Sequence, residues 1–295
     1  MTYADFNISI PHGRTTGEVP TICPQCSHTR KKSNDKCLSV NLDKQVWRCN
    51  HCNWSGFLKN SMKKIEYKRP EWTNRTDLSE VVVKWFEQRG ISQQTLTSQK
   101  VTESTEWMPK ANKEVLTINF NYFRNDELIN IKYRAKDKDF KMHKDAELIF
   151  YNLDGIKDAD TCYIVEGEMD ALSLIQAGIK NVVSVPNGAT ISTNNLSYLD
   201  NCFEYFINKK EIILWVDNDI AGRKLKYDLA ERLGFDRCKY IEIEDCKDAN
   251  EYLIKHGLNA IITAYSKAIY FPMEGVYTIS DVSNEIDDMY INGLD

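Results

Sequence analysis

The chain lacks the features that would send it into a membrane or out of the cell. None of its apolar runs approaches the roughly 20 residues that a bilayer-spanning helix needs. The opening residues, Met1-Thr2-Tyr3-Ala4-Asp5-Phe6-Asn7, have neither the basic flank nor the apolar core of a signal peptide, so a cytoplasmic protein is expected. No G-x-x-x-x-G-K-[ST] loop occurs, which excludes nucleotide hydrolysis by that route. An excess of basic charge is missing too: the formal net charge is -5, on its face a poor match for a nucleic-acid binder. The distribution reverses that impression. Residues 1–75 hold 13 Lys and Arg against 6 Asp and Glu, so a basic front precedes an acidic remainder. Nine cysteines are present, and without an export signal they read as metal ligands and free thiols rather than disulfides. At 295 residues there is room for two domains or more.

The most informative stretch runs from Cys162 to Leu172. Tyr163-Ile164-Val165 reads as a buried strand that stops at Glu166-Gly167-Glu168. After Asp170, a helix through Ala171, Leu172 and Ile175 closes at Gly178. Three carboxylates, Glu166, Glu168 and Asp170, thus gather where a strand hands over to a helix, the edge of an open α/β sheet at which ligands bind. Crowded carboxylates repel one another unless a cation neutralises them, and hard oxygen ligands suit Mg2+. A second apolar run, Glu211 to Val216, ends in Asp217-Asn218-Asp219. Ile220, Gly222 and Arg223 then open a periodic segment through Leu225, Leu229 and Leu233 to Gly234. Two such strand ends in one sheet would hold metal ions jointly. Solvated acidic turns account for either cluster alone, but poorly for both followed by the Lys247-Asp248-Ala249-Asn250-Glu251 segment in this order.

Cys23-Pro24-Gln25-Cys26 and Cys49-Asn50-His51-Cys52 match the four-cysteine zinc template, two C-x-x-C knuckles aiming four thiolates at one tetrahedral ion. Leu38 to Leu42 and Gln45 to Arg48 read as a hairpin around Asp43-Lys44, and Cys37, His28 and His51 fall outside the pattern. Arg30, Lys31, Lys32, Lys36, Trp47, Arg48 and Trp54 decorate this ribbon. Cations meet phosphates and exposed aromatics stack bases, although both tryptophans would equally serve a very small core. A polar, basic stretch over residues 59–76 reads as a linker. Leu78 to Gly90 restarts helical patterning. Val115 to Phe120 and Leu128 to Arg134 alternate as strands around a turn at Arg124 to Glu127. Lys132, Arg134, Lys136 and Lys138 fall at period two, so an extended chain would set them on one face, fit to follow phosphates. An ordinary solvated strand face is the alternative. Asn181 to Val185 reads as another buried strand, ending in Pro186-Asn187-Gly188, where Gly188 permits close approach of a ligand. Cys238 to Ile243 completes the sheet, with closing helices over Asn250 to His256 and Leu258 to Ala268. The last twenty-odd residues are acidic and amphipathic (Val282, Ile286, Met289, Tyr290).

E-G-x-x-D at Glu166, Gly167 and Asp170, followed by D-x-D-x-x-G at Asp217, Asp219 and Gly222, resembles the Toprim family. Lys247-Asp248-Ala249-Asn250-Glu251 is similar to the K-D-A-N-E segment of bacteriophage T7-like DNA primases and of their mitochondrial relatives, the Twinkle helicases. Ile91 to Leu96 resembles a short helix near the start of primase catalytic cores, and Ile131 to Lys138 resembles a lysine-rich segment that precedes Toprim in that family. The resemblance implies a multidomain α/β protein. Its parts are a small four-Cys β zinc ribbon (1–58), a linker (59–76), an α+β basic subdomain opening the RNA polymerase core (77–160), a Toprim core with a Rossmann-like parallel sheet (161–268), and a linker or docking helix towards a helicase domain (269–295).

The expected activity is template-directed synthesis of short RNA primers on single-stranded DNA by two-metal nucleotidyl transfer. Glu166, Asp217 and Asp219 would ligate Mg2+ or Mn2+. Glu168, Asp170 and Asp248 would be further ligands or supports, with Glu166 alternatively a general base. Lys132, Arg134, Lys138, Gly188 and Arg223 would hold nucleotide or template, and Cys23, Cys26, Cys49 and Cys52 a structural Zn2+. Expected partners are single-stranded DNA, nucleoside triphosphates, a replicative helicase (fused or separate) and, as a further candidate, a DNA polymerase, with no membrane. The cytoplasm of a bacterium or phage-infected host is the expected location. One rival reading is a non-catalytic, single-strand-binding module that couples to a helicase and keeps the fold. The other is a Toprim nuclease or topoisomerase, but a topoisomerase needs a tyrosine nucleophile on a separate domain and a nuclease has no need of the ribbon.

Overall fold

The computed structural model describes residues 2–11, 13–58, 67–71, 77–189 and 196–272. The chain divides into two compact units, Met1–Glu66 and Tyr67–Asp295. Most of the expected linker, and all of the expected docking helix beyond residue 272, lie outside the described residues. Among the described residues, no helix is long and apolar enough to cross a membrane.

The first unit is a four-stranded antiparallel sheet: β1 (Glu18–Thr21), β2 (Leu38–Asn41), β3 (Val46–Cys49) and β4 (Ser55–Phe57), side by side in that order. The expected hairpin around Asp43-Lys44 is the β2–β3 connection. Alternation buries Leu38 and Val40 on one face and Trp47 and Cys49 opposite them. Trp47 is 3% exposed and touches Phe6 and Trp54, with ring centroids 4.6 and 5.6 Å away. It is therefore core, not a free base-stacking platform. Any Cβ on Gly56 would lie 2.4 Å from the Trp47 ring, so the strand can pass there only as glycine.

The second unit opens with α1 (Glu80–Glu87) and α2 (Gln93–Ser98). An antiparallel sheet follows: β5 (Thr102–Met108), β6 (Lys113–Arg124), β7 (Glu127–Ala135) and β8 (Asp139–Met142). Asn125 and Asp126, at φ 52° and 61°, turn β6 into β7, a left-handed pair that suits Asn and Asp. The cation row does not continue as expected. β7 ends at Ala135, and Asp137 and Lys138 adopt φ 59° and 53°, so Lys136 and Lys138 leave the strand on an exposed turn. Side-chain acceptance of the left-handed region by Asp breaks the extended run that period-two counting assumed.

A mixed sheet completes the unit, built from β9 (Thr161–Val165), α3 (Glu168–Gln176), β10 (Val182–Ser184), α4 (Ser197–Cys202), β11 (Glu211–Trp215), α5 (Ile220–Leu233), β12 (Cys238–Tyr240), α6 (Ala249–His256), α7 (Leu258–Thr263) and β13 (Ile269–Tyr270). Strand order is β10-β9-β11-β12-β13, parallel except for the antiparallel edge strand β13. From β9 the chain moves one way to β10 and then returns to the other side for β11. The order thus reverses at β9, the crevice where open α/β sheets bind ligands. β12 is shorter than its apolar run, and β13, a two-residue edge strand with little patterning, was not anticipated. Leu78 just before α1, Val82 and Phe86 from α1, Phe120 and Tyr122 from β6, and the buried residues of β9 and β11 belong to one continuous core.

Candidate active site

Register brings the acids to one edge. Trp215 lies opposite Val165, so Glu166 and Asp217 leave neighbouring parallel strands together. Glu166 Oε1 accepts the backbone N–H of Ala189 at 3.0 Å, while Oε2 is buried with no partner among the described residues. Gly188 adjoins this carboxylate: a Cβ there would lie 3.9 Å from Oε1. Burial, and then the charge of Asp217, push the Glu166 carboxyl above its ordinary range. Burial likewise raises Asp217, against the opposing pull of Lys247. The Lys247 ammonium is 2.8 Å from Asp217 and 3.6 Å from Asp219. Asp219 caps α5, accepting the Gly222 N–H at 2.9 Å. A Cβ on Gly222 would stand 2.1 Å from the Asp217 carbonyl oxygen, so only glycine lets α5 begin against this strand end.

The other predicted acids are turned to different partners. Glu168 is 4% exposed and faces the antiparallel sheet, accepting Lys132 Nζ at 2.8 and 3.1 Å and the Tyr122 hydroxyl. Asp170, 6% exposed, accepts the N–H groups of Gly167 at 3.2 Å and Asn250 at 3.0 Å. Burial, then Asp248 and Asp217, push the Asp170 carboxyl well above its ordinary range. Asn250 in turn donates to the Arg89 carbonyl and to Ser173 Oγ, both at 2.9 Å, which ties α3 and α6 to the end of α1. Asp248 caps α6, accepting the Glu251 N–H at 2.8 Å.

The predicted basic residues are spread more widely. Lys132 is committed to Glu168, with its side chain 12% exposed. The Arg134 guanidinium is half-buried over the rings of Trp85 and Phe140, 4.7 and 5.2 Å from their centroids. Burial, then nearby Arg89, lower its pKa. Lys138 is exposed on its turn. Arg223 is exposed beside the acids and donates to Asn218 Oδ1 at 3.2 Å. Lys247 was quoted in the sequence only as part of a motif; its pairing with Asp217 depends on the loop before α6 folding back to β11, which spacing does not reveal.

An orphaned buried oxygen on Glu166, two carboxyls raised chiefly by burial, and a neighbouring Asp219 form a donor set that suits a hard divalent cation.

In the first unit the Sγ atoms of Cys23, Cys26, Cys49 and Cys52 all lie within 4.8 Å of one another. The Cys23–Cys52 and Cys26–Cys49 separations are each 3.7 Å, close to the ~3.8 Å edge of a tetrahedron with Zn–S bonds of about 2.3 Å. Burial pushes the Cys23 thiol up to about 11, a cost that vanishes when the thiolates bind a metal. Cys37, set aside on spacing, places its sulfur 3.6 Å from that of Cys49.

Residues 163–253 match the family model described as Toprim-like. The chain is 31% identical over 284 residues to the primase homolog protein of Arabidopsis thaliana, covering 86% of this chain and 82% of that protein. It is 29% identical over 310 residues to the chloroplastic/mitochondrial Twinkle homolog of the same plant, covering 95% of this chain but 42% of that longer protein. Among solved structures, bacteriophage T7 primase domains seen with the phage lagging-strand DNA polymerase, an RNA/DNA hybrid and dTTP are similar at 27% identity and a TM-score of 0.52. That match covers 62% of this chain and 90% of the T7 chain.

Proposed function

The chain belongs to the T7-like primase family of zinc-ribbon and Toprim proteins, and from that premise we propose that it synthesises short RNA primers on single-stranded DNA. The observation that carries this reading is that the neighbouring ends of β9 and β11 carry Glu166, Asp217 and Asp219 at the strand-order reversal, where both aspartates act on the charge of Glu166 and its Oε2 is buried without a partner among the described residues. These three carboxylates would hold Mg2+ or Mn2+, which when bound lowers the pKa of the attacking 3′-hydroxyl and stabilises the departing pyrophosphate.

The rest is done by the chain's own groups. Ala189 N–H fixes the Glu166 carboxylate, and Gly222 sets the Asp217 carbonyl against α5, so the acids are held rigid before substrate arrives. Glu166, its carboxyl raised by burial, is also suited to accept the 3′-hydroxyl proton, the alternative role expected from the sequence. Asp170 and Asp248 act behind these groups, Asp170 tying α3 to α6 through Asn250 and Asp248 capping α6 through Glu251. Arg134 and Lys138 would take phosphates of nucleotide or template. Lys132 reaches that role only by leaving Glu168. Cys23, Cys26, Cys49 and Cys52 would hold Zn2+ and so shape the basic ribbon that selects a start site on the template.

The partners on this reading are single-stranded DNA, nucleoside triphosphates and a replicative helicase, fused or separate. A DNA polymerase is a further partner by analogy with the T7 complex. The working compartment is the cytoplasm of a bacterium or phage-infected host, or an organelle as in the name of the plant relative. The test is synthesis of labelled oligoribonucleotides by zinc-loaded protein on a pool of single-stranded templates, beside Asp217→Ala/Asp219→Ala. Products that vanish in the double variant support the reading. Intact single-strand binding with no product would favour the non-catalytic coupling module.

A further inference from the structure

Away from the acidic edge, the turn between β12 and α6 and the far end of α6 bring together a second set of metal-type donors. Asp245 and Cys246 lie on the turn, and His256 is the last residue of α6. Their carboxylate oxygen, sulfur and imidazole nitrogen all lie within 4.8 Å of one another. His256 Nε2 stands 2.9 Å from Asp245 Oδ2. The imidazole packs on the ring of Tyr252, itself 5% exposed, with centroids 4.7 Å apart, so it is aimed before any ion arrives. Cys246 is a free thiol and 6% exposed. A tetrahedral ion with bonds of about 2.0–2.3 Å needs donor atoms roughly 3.3–3.6 Å apart, a spacing that side-chain rotation reaches from these positions. The C-terminal end of a helix also favours positive charge.

This acid, thiol and imidazole set is unlike the all-oxygen edge at Glu166 and Asp217. Sulfur and nitrogen select a borderline ion over Mg2+. We propose that Asp245, Cys246 and His256 bind one Zn2+, with water in the fourth position, as a clip between the turn and the end of α6. On binding, the thiol gives its proton to solvent and the neutral imidazole donates a lone pair. The Lys255 ammonium, 2.7 Å from Asp245 Oδ2 on a side chain half in solvent, swings away when the ion takes the carboxylate. The clip bears on the acidic edge by two routes. Lys247 follows Cys246 directly: its carbonyl accepts the Asn218 N–H at 2.7 Å, and its ammonium meets Asp217 at 2.8 Å. Tyr252, beside His256, packs on Trp215 at the end of β11, with centroids 5.6 Å apart. The ion thus steadies Lys247 and the end of β11 without touching the acids, and the site stands whether or not the chain makes primers.

The experiment is titration of Zn2+, in competition with a chelating dye, into the full chain already carrying its ribbon zinc, with excess Mg2+ to occupy the acidic edge. One further Zn2+ is expected to bind at micromolar free ion. Changing a residue behind a metal ligand costs about 10-fold to 100-fold in affinity, so Cys246→Ser and His256→Gln, which remove ligands, should each weaken the second ion by at least about 100-fold. Thermal melts verify the fold, and the partly exposed His256 keeps the test decisive if Cys246→Ser is unstable. Co2+ added to the zinc-loaded chain should give a thiolate charge-transfer band that Cys246→Ser abolishes, a band that an ion on carboxylates alone does not show. Amide exchange at Asn218 should slow once the second ion is loaded. A chain that stops at one zinc, or a second ion held equally well by both variants, overturns the site. Unchanged exchange at Asn218 in a chain that binds the ion overturns the clip.

Discussion

Lys132→Met should destabilise the second unit far more than loss of an ordinary surface lysine. Lys132 Nζ contacts both oxygens of Glu168, at 2.8 and 3.1 Å, and the two side chains are only 12% and 5% exposed. Removing one partner of a buried pair leaves the other charge desolvated and costs about 3–5 kcal/mol. The Tyr122 hydroxyl still donates to Glu168 and offsets about 1 kcal/mol. The expected net loss is thus about 2–4 kcal/mol, against ~0–1 kcal/mol for an exposed ion pair. Lys132→Met/Glu168→Gln should recover most of it, since a neutral amide still accepts from Tyr122 without stranding a charge. Urea denaturation followed by circular dichroism and by tryptophan fluorescence gives both values. A single-variant loss below about 1 kcal/mol, or a double variant no more stable than the single, would refute the argument. The double variant also separates roles. Primer synthesis that survives in it makes Lys132 a strut between the two sheets, and synthesis lost from a well-folded double variant gives it the nucleotide contact that the family resemblance implies.

Gly222→Ala should disrupt the acidic edge, because its Cβ would meet the Asp217 backbone 2.1 Å away and neither group is a flexible tip; a drop in both melting temperature and Mg2+ affinity checks this, and an unchanged Mg2+ affinity contradicts it. Glu166, Asp170 and Asp217 all have raised carboxyl pKa values in the folded chain. Their favourable contribution is fully present below the ordinary carboxylate range and is lost as pH rises through the raised values. Calorimetry in Mg2+-free buffer should therefore show stability falling across that window, with Mg2+ restoring most at its upper end. A pH-independent effect of Mg2+ would count against the site. Removing zinc with a chelator should melt residues 1–58 while leaving the second unit folded, since the first core is small and closes around four cysteines; amide exchange resolved by residue reads the two units separately.

The parts of the site that were legible in the sequence are those written locally. A buried run, a stop at acids and a following helix occurs twice, at Glu166 and at Asp217, because each strand end carries its own chemistry. The four zinc-type cysteines were legible for the same reason, each knuckle being four residues long. What was illegible depends on distant segments meeting. Glu168 and Lys132 are 36 residues apart in sequence, and nothing in either neighbourhood says that they face each other across two sheets. Trp47 became core because Phe6 and Trp54 fold over it. Cys37 lies outside both knuckles, yet its sulfur reaches that of Cys49. The row of cations failed through local physics: period two holds only while the backbone stays extended, and Asp137 takes it left-handed.

The central claim, that Glu166 and the Asp217–Asp219 pair do the chemistry, is tested most directly by single-turnover dinucleotide synthesis with Glu166→Gln at saturating Mg2+, nucleotides and single-stranded template. Removing the charge while keeping the Ala189 hydrogen bond should lower the rate by about 100-fold to 1,000-fold or more, with single-strand binding unchanged. A rate within a few-fold of the unmodified chain would contradict the account and move the reaction away from this edge of the sheet.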